Sequence, residues 1–251
     1  MINSTHKTEI REYATPEEQI RDNSDLILQT ALKEIKEKGF FTLVLTGGQS
    51  PQKLYESLAS SVYADRMPWQ QTYIFWGDER CVKPNHPDSN FGMAQEKLLS
   101  KIKIPTKNIF RMAGEVRPRE EAAKSYQKKI KLFFSEKKHR GISPDKIPVF
   151  DLMLLGIGKD GHIASLFPYT KSLNVKDCWV ITVPPGTIAP LIPRLTLTLP
   201  IINNTNSILF MISDNLKLPM VRQIINNRNK YITRYPAALI QPRQRLFWSL
   251  G

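Results

Sequence analysis

Cysteine is scarce: Cys81 and Cys178 are the only two in 251 residues, and they form no metal-ligand spacing. A disulfide framework is therefore not encoded, and the pattern fits a reducing compartment. Four histidines, His6, His86, His139 and His162, show no paired spacing with the cysteines, so no zinc set is expected. No run approaches the roughly 18–20 uninterrupted apolar residues that cross a bilayer. Residues 1–15 are polar and mixed in charge and lack the apolar centre of a signal peptide, which leads to the expectation of a cytoplasmic protein without a membrane partner. No Gly-X-Ser-X-Gly elbow supplies a serine nucleophile. Neither the P-loop nor the dinucleotide fingerprint is present, so nucleotide binding is not supported and no cofactor is implied. Internal repeats and low-complexity tracts are absent as well.

What is present is the balance of an ordinary globular protein: 41% apolar and 24% charged residues rule out a disordered chain. Lys and Arg number 36 against 23 Asp and Glu, a net charge of +13. The positive residues are scattered, with short runs such as Lys137-Lys138-His139-Arg140, and no zinc-finger, RNA-binding or basic-zipper signature accompanies them. Nucleic acid is therefore not an expected partner. A solvated basic surface that attracts phosphorylated metabolites is the simpler reading.

Helical and strand periodicities alternate along the chain. Thr15-Pro16-Glu17-Glu18 caps a helix whose apolar positions, from Ile20 to Ile35, recur at helical spacing until Gly39. Phe40-Phe41-Thr42-Leu43-Val44-Leu45 reads as a strand buried on both faces. Further strands are expected at 73–76, 150–155, 179–183, 195–199, 208–212, 237–240 and 246–248, with helices from Ser50, over 90–99, 118–136 and 215–225. The 137–148 stretch reads as a loop. The expectation is an α/β fold of one domain spanning 1–251, a Rossmann-like, mostly parallel sheet flanked by helices on both faces, with 1–14 loosely ordered.

In such a sheet, ligands gather beyond the carboxyl ends of the strands, and three motifs fall there. The first, Leu45-Thr46-Gly47-Gly48-Gln49-Ser50-Pro51, turns from strand to helix and offers backbone N–H groups to an anion. By itself it reads equally well as a tight turn capped by Ser50. The second is Trp76-Gly77-Asp78-Glu79-Arg80, followed by a loop ending in Ser89-Asn90. Its Arg80 guanidinium suits a phosphate or carboxylate when neighbouring acids hold it, and a surface ion pair is the alternative. The third, Leu155-Gly156-Ile157-Gly158-Lys159-Asp160-Gly161-His162, presents a histidine and a carboxylate in a glycine-rich turn. An imidazole takes and returns protons at neutral pH, and glycine amides can hold an oxyanion. Arg194 and Lys217 become phosphate partners if the sheet brings them to the same rim. Together these features describe a general base beside an anion-binding rim, suited to water attacking an activated ester of a phosphorylated substrate.

The three motifs, with the continuation Ile163-Ala164-Ser165-Leu166-Phe167-Pro168, with Arg194-Leu195-Thr196-Leu197-Thr198, Lys217 and Pro236-Ala237-Ala238, resemble the glucosamine-6-phosphate isomerase/6-phosphogluconolactonase family over nearly the whole chain. After His162 the sequence resembles the lactonase branch; the deaminases usually continue towards Phe-Asn-Glu-Pro, with a glutamate absent here. The resemblance implies a metal-free hydrolase of 6-phosphogluconolactone, a small phosphorylated sugar lactone, acting as a monomer or weak homo-oligomer. It implies His162 as base, Asp160 as its orienting partner, and Gly156, Gly158 and Gly161 as oxyanion amides. Gly47, Gly48, Gln49, Ser50, Arg80, Arg194 and Lys217 would hold the phosphate and hydroxyls. Three positions depart from the family pattern. Gln49 stands where a small hydroxyl residue is common, His86 where an acid is frequent, and Ser249 follows Trp248 where the family often carries an acid. A deaminase, a non-catalytic sugar-phosphate sensor and a basic nucleic-acid binder remain the alternatives.

Overall fold

The computed structural model describes residues 6–137, 147–186 and 189–251, so most of the stretch read as a loop at 137–148 lies outside the described residues. The first helix, Pro16–Lys38, forms where the capping signals place it. The Thr15 hydroxyl accepts from the Glu18 amide at 3.2 Å, and Glu18 accepts in return from the Ala14 amide at 3.2 Å. Gly39, left-handed at φ 88°, ends the helix by donating to the Ile35 carbonyl at 2.8 Å. That conformation suits glycine, which lacks the Cβ that would clash.

Among the described residues, nine strands follow one another as β1 (Lys7–Glu12), β2 (Phe41–Leu45), β3 (Thr72–Trp76), β4 (Asp78–Arg80), β5 (Leu152–Leu155), β6 (Val180–Val183), β7 (Arg194–Leu197), β8 (Ser207–Ile212) and β9 (Arg245–Leu250). Six of them form a sheet in the order β1-β9-β8-β5-β2-β3, with every pairing parallel. The strands β2, β5 and β8 are buried along their whole length, which is why each is a nearly unbroken apolar run. An aromatic cluster fills one side of the core: Phe75 lies 4.7 Å from Phe110, 5.3 Å from Phe133 and 5.0 Å from Phe150, ring centre to ring centre. Phe133 comes from the Arg119–Glu136 helix, so this cluster ties that helix to the sheet.

Three expectations change. The segment expected to be loosely ordered contains β1, which pairs with β9 from Lys7 beside Arg245 to Glu12 beside Leu250. Its charged, mostly exposed side chains carry no apolar signal, because backbone hydrogen bonds hold this edge strand. The strand expected at 237–240 is instead the 3-10 turn Pro236–Leu239, opened by a proline that cannot donate to a ladder. The strands expected at 179–183 and 195–199 do form, but outside the parallel sheet. As β6 and β7 they make a small antiparallel sheet with β4, in the order β4-β7-β6.

The chain leaves β2 towards β3 on one side and leaves β5 towards β8 on the other, and β2 and β5 are neighbours. Their carboxyl ends therefore flank the crevice at which open α/β sheets take their ligands.

Candidate active site

A cavity of about 700 Å³ opens at this crevice. The turn after β2 contributes Gly47, Gly48, Gln49 and Ser50, and the loop after β5 contributes Gly156, Gly158 and His162. Arg80 reaches it from β4, Arg194 from β7, and Lys217 from the turn after β8. Five remote segments thus bring one imidazole, four cations (Lys159 with Arg80, Arg194 and Lys217) and a helix start to a single concave surface.

The loop after β5 is built around its histidine. His162 Nδ1 lies 2.6 Å from Asp160 Oδ1, and the same oxygen accepts from the His162 amide at 3.1 Å. The ring also lies 4.8 Å from Phe167, centre to centre. With Nδ1 directed at a carboxylate, Nε2 is the nitrogen left to exchange a proton. Burial alone raises the Asp160 carboxyl, but the hydrogen bond and charge of His162 outweigh it and hold the group below the usual carboxylate value. Asp160 itself faces a neighbouring cavity, so it supports the ring from behind. Glycine is required at 158 because a Cβ there would collide with the His162 ring and come within 2.7 Å of Asp160 Oδ1. Gly158→Ala is accordingly expected to displace the imidazole and lower kcat about tenfold or more, with a smaller effect on KM, in steady-state kinetics.

The oxyanion expectation narrows. The Gly158 amide donates to the His162 carbonyl at 2.9 Å and the Gly161 amide to the Gly158 carbonyl at 3.0 Å, so both are already engaged inside the loop. Gly161 adopts φ 80°, does not line the cavity, and sits against Tyr235. Their role is to shape the turn. Of the three, Gly156 lines the cavity and takes part in neither of these two hydrogen bonds, so the oxyanion expectation rests on it alone.

The expected grip of neighbouring acids on Arg80 is also corrected. Arg80 Nη1 donates to the Asp88 carbonyl at 2.6 Å. Glu79 instead binds backbone: its two oxygens accept from the amides of Arg80, Asn90 and Phe91 at 2.7–2.8 Å and from the Ser89 hydroxyl at 3.1 Å. Burial pushes its carboxyl up to about 6, against those amides, which favour the anion. Asp78 accepts from the Ser165 hydroxyl at 2.5 Å and lies 4.0 Å from Arg194 Nη1. Arg194 is buried, and burial lowers it from its ordinary value while Asp78 opposes that shift. The Nε atoms of both Arg80 and Arg194 are buried without a hydrogen-bond partner.

Sequence reasoning missed Asp78, Asn90 and Ser213 as cavity residues. Ser213 directly follows β8 and its hydroxyl lies 2.6 Å from that of Ser50, so a hydroxyl just beyond an apolar strand was the available signal. Asn90 was read as part of a helix start. It is that, and its side-chain amide also donates to the Asp78 carbonyl at 2.9 Å, where a Cβ on Gly47 would strike it. Among the described residues, no group of three or more His, Cys, Asp and Glu is arranged to hold a metal ion, and no helix is long and apolar enough to cross a membrane.

Known proteins share this arrangement of sequence and fold. Residues 14–248 match the family model described as glucosamine-6-phosphate isomerases/6-phosphogluconolactonase. A protein of Nostoc sp. named 6-phosphogluconolactonase is 39% identical over 229 residues, covering 90% of this chain and 88% of its own. A protein of the same name from Synechocystis sp. is 37% identical over 243 residues, covering 94% and 95%. The crystal structure of 6-phosphogluconolactonase from Thermotoga maritima superposes with a TM-score of 0.79 at 27% identity, covering 96% of this chain and 99% of that one. The α/β fold with its parallel sheet is the fold of these enzymes, and the chain belongs to the glucosamine-6-phosphate isomerase/6-phosphogluconolactonase family.

Proposed function

We propose that the chain hydrolyses the ring ester of 6-phospho-D-glucono-1,5-lactone to 6-phosphogluconate in the oxidative pentose-phosphate route, with His162 as general base. The observation that carries this reading is the placement of His162, tied through Nδ1 to Asp160, in the same cavity as Arg80, Arg194, Lys217 and the turn at 47–50. The relatives named 6-phosphogluconolactonase support the choice of substrate.

His162 Nε2 takes a proton from water, and the resulting hydroxide attacks the lactone carbonyl carbon. The oxyanion that forms faces the Gly156 amide. Collapse of the tetrahedral intermediate breaks the bond from that carbon to the ring oxygen, and the imidazolium returns its proton to the departing alkoxide. The products are a carboxylic acid, which ionises, and a free hydroxyl, with His162 neutral again. Arg80, Arg194, Lys217, Ser50 and the 47–50 turn hold the phosphate and sugar hydroxyls, with Gln49 contributing its amide where a small hydroxyl is common. A base contribution of about 10²–10⁴-fold plus positioning suffices, because δ-lactones already open slowly unaided.

Asp160→Asn tests the orienting role. The amide no longer offers the imidazole ring a carboxylate to hold it, so kcat is expected to fall about 10–100-fold with KM little changed in steady-state kinetics. An unchanged kcat would remove Asp160 from the mechanism. The substrate itself is tested by following lactone opening beside ammonia release from glucosamine 6-phosphate. Lactone opening alone is the expected result; ammonia release alone would assign the deaminase reaction instead.

A further inference from the structure

A second cavity, of about 970 Å³, adjoins the first and contains none of Arg80, Arg194 and Lys217. It is the larger of the two, and of the residues proposed to act in the lactone reaction only Asp160 lines it. Its lining combines three aromatic rings, Phe167, Tyr169 and Tyr235, with three cations, Lys159, Lys171 and Arg234. Among the described residues, Asp160 is the single carboxylate in that lining. Tyr169 is held at φ 60° and is 81% exposed, so its ring has a free face, and the Arg234 guanidinium lies 5.0 Å over the Tyr235 ring.

We propose that this cavity is a second ligand site, for a planar aromatic anion of the nucleoside monophosphate class. A flat ring stacks on the exposed Tyr169 ring, with Phe167 and Tyr235, both buried, forming the apolar wall behind it, and an anionic group answers the excess of two positive charges in the lining. The sequence carries no nucleotide fingerprint because the site is assembled from aromatic rings and single cations on separate loops, with no glycine-rich phosphate turn. The site also touches the catalytic apparatus. Asp160 accepts from His162, Phe167 lies against the His162 ring, and Lys159 lines both cavities. A ligand that engages Asp160 competes with its hold on the imidazole, so occupancy lowers kcat while leaving the lactone site open.

Calorimetric titration with adenosine 5′-monophosphate reads the binding without any turnover and is independent of the lactonase reading; only the kinetic arm rests on that reading. Saturable binding is expected, with adenosine about tenfold or more weaker, because it lacks the anion. The surface double substitution Lys171→Ala with Arg234→Ala is expected to weaken binding by about tenfold, whereas Lys217→Ala, in the other cavity, leaves it within about twofold. In lactone kinetics the nucleotide is expected to lower kcat at saturating lactone. The proposal is overturned by absence of saturation at about 10 mM nucleotide. Binding lost in Lys217→Ala and kept in the double variant overturns it as well, as does inhibition that raises KM alone.

Discussion

His162→Ala is expected to lower kcat for 6-phosphogluconolactone by about 10²–10⁴-fold while the protein stays folded. The imidazole lies at the cavity wall and not in the core, with its side chain 19% exposed, so truncation opens little internal space. Its Nδ1 partner Asp160 is also partly exposed, at 24%, and water can take over the lost hydrogen bond. On the proposed mechanism, what disappears is the group that removes a proton from the attacking water and returns it to the leaving oxygen. KM is expected to change little, because the cations proposed to hold the phosphate come from β4, β7 and the turn after β8 and not from the His162 loop. A kcat loss at constant KM, with an unchanged circular dichroism spectrum, is the expected pattern; wild-type turnover in the variant would show that another group is the base.

The largest stability loss is expected at Glu79→Gln. The native carboxylate is 3% exposed and accepts four hydrogen bonds, two on each oxygen. Glutamine retains one acceptor oxygen and turns an NH₂ donor towards two other donors. Leaving those groups unsatisfied costs about 2–5 kcal/mol, or roughly 5–15 °C in Tm for a chain of this size. Because Glu79 joins β4 to the start of the Asn90–Lys97 helix, the positions of Arg80 and Asn90 loosen and activity falls with stability. A pH signature separates this from a general packing defect. The folded carboxyl lies at about 6, above its unfolded value of 4.5, so protonation favours the folded state. That contribution is complete below pH 4.5, is lost as pH rises through about 6, and amounts to about 2 kcal/mol. Thermal unfolding of wild type and variant from pH 4.5 to 7.5 should show this slope in the wild type and not in Glu79→Gln.

The elements legible in the sequence are those that write a pattern into side chains. Thr15-Pro16 and Gly39 mark the first helix through capping chemistry, and the runs at β2, β5 and β8 are apolar because both faces are covered. The strand β1 leaves no such trace, since only its backbone is engaged, and β4 hides inside a motif read for its charges. The site is legible to a similar degree. Glycines followed by a histidine or a helix start announce loops at strand ends, and both loops line the crevice. Which amides are free is not legible, because the Gly158 and Gly161 hydrogen bonds depend on the closed shape of the loop. Nor is the assignment of acids to partners: Asp78-Glu79-Arg80 reads as a local ion-pair cluster, yet Asp78 faces Arg194 from β7 and Glu79 caps backbone amides from another element. These pairings are set by β4 lying antiparallel to β7, a long-range contact that leaves no local periodicity.

The proposed reaction requires the imidazole and the cationic rim to act together on one phosphorylated ester. Initial rates at fixed pH, corrected for spontaneous opening, with fresh 6-phosphogluconolactone and with the same lactone lacking its phosphate, test this directly. Rapid opening of the phosphorylated lactone is expected, with kcat/KM lower by about 10²–10³ for the unphosphorylated one, as loss of two charge-assisted contacts implies. A rate no higher than spontaneous opening, or equal kcat/KM on both lactones, would contradict it.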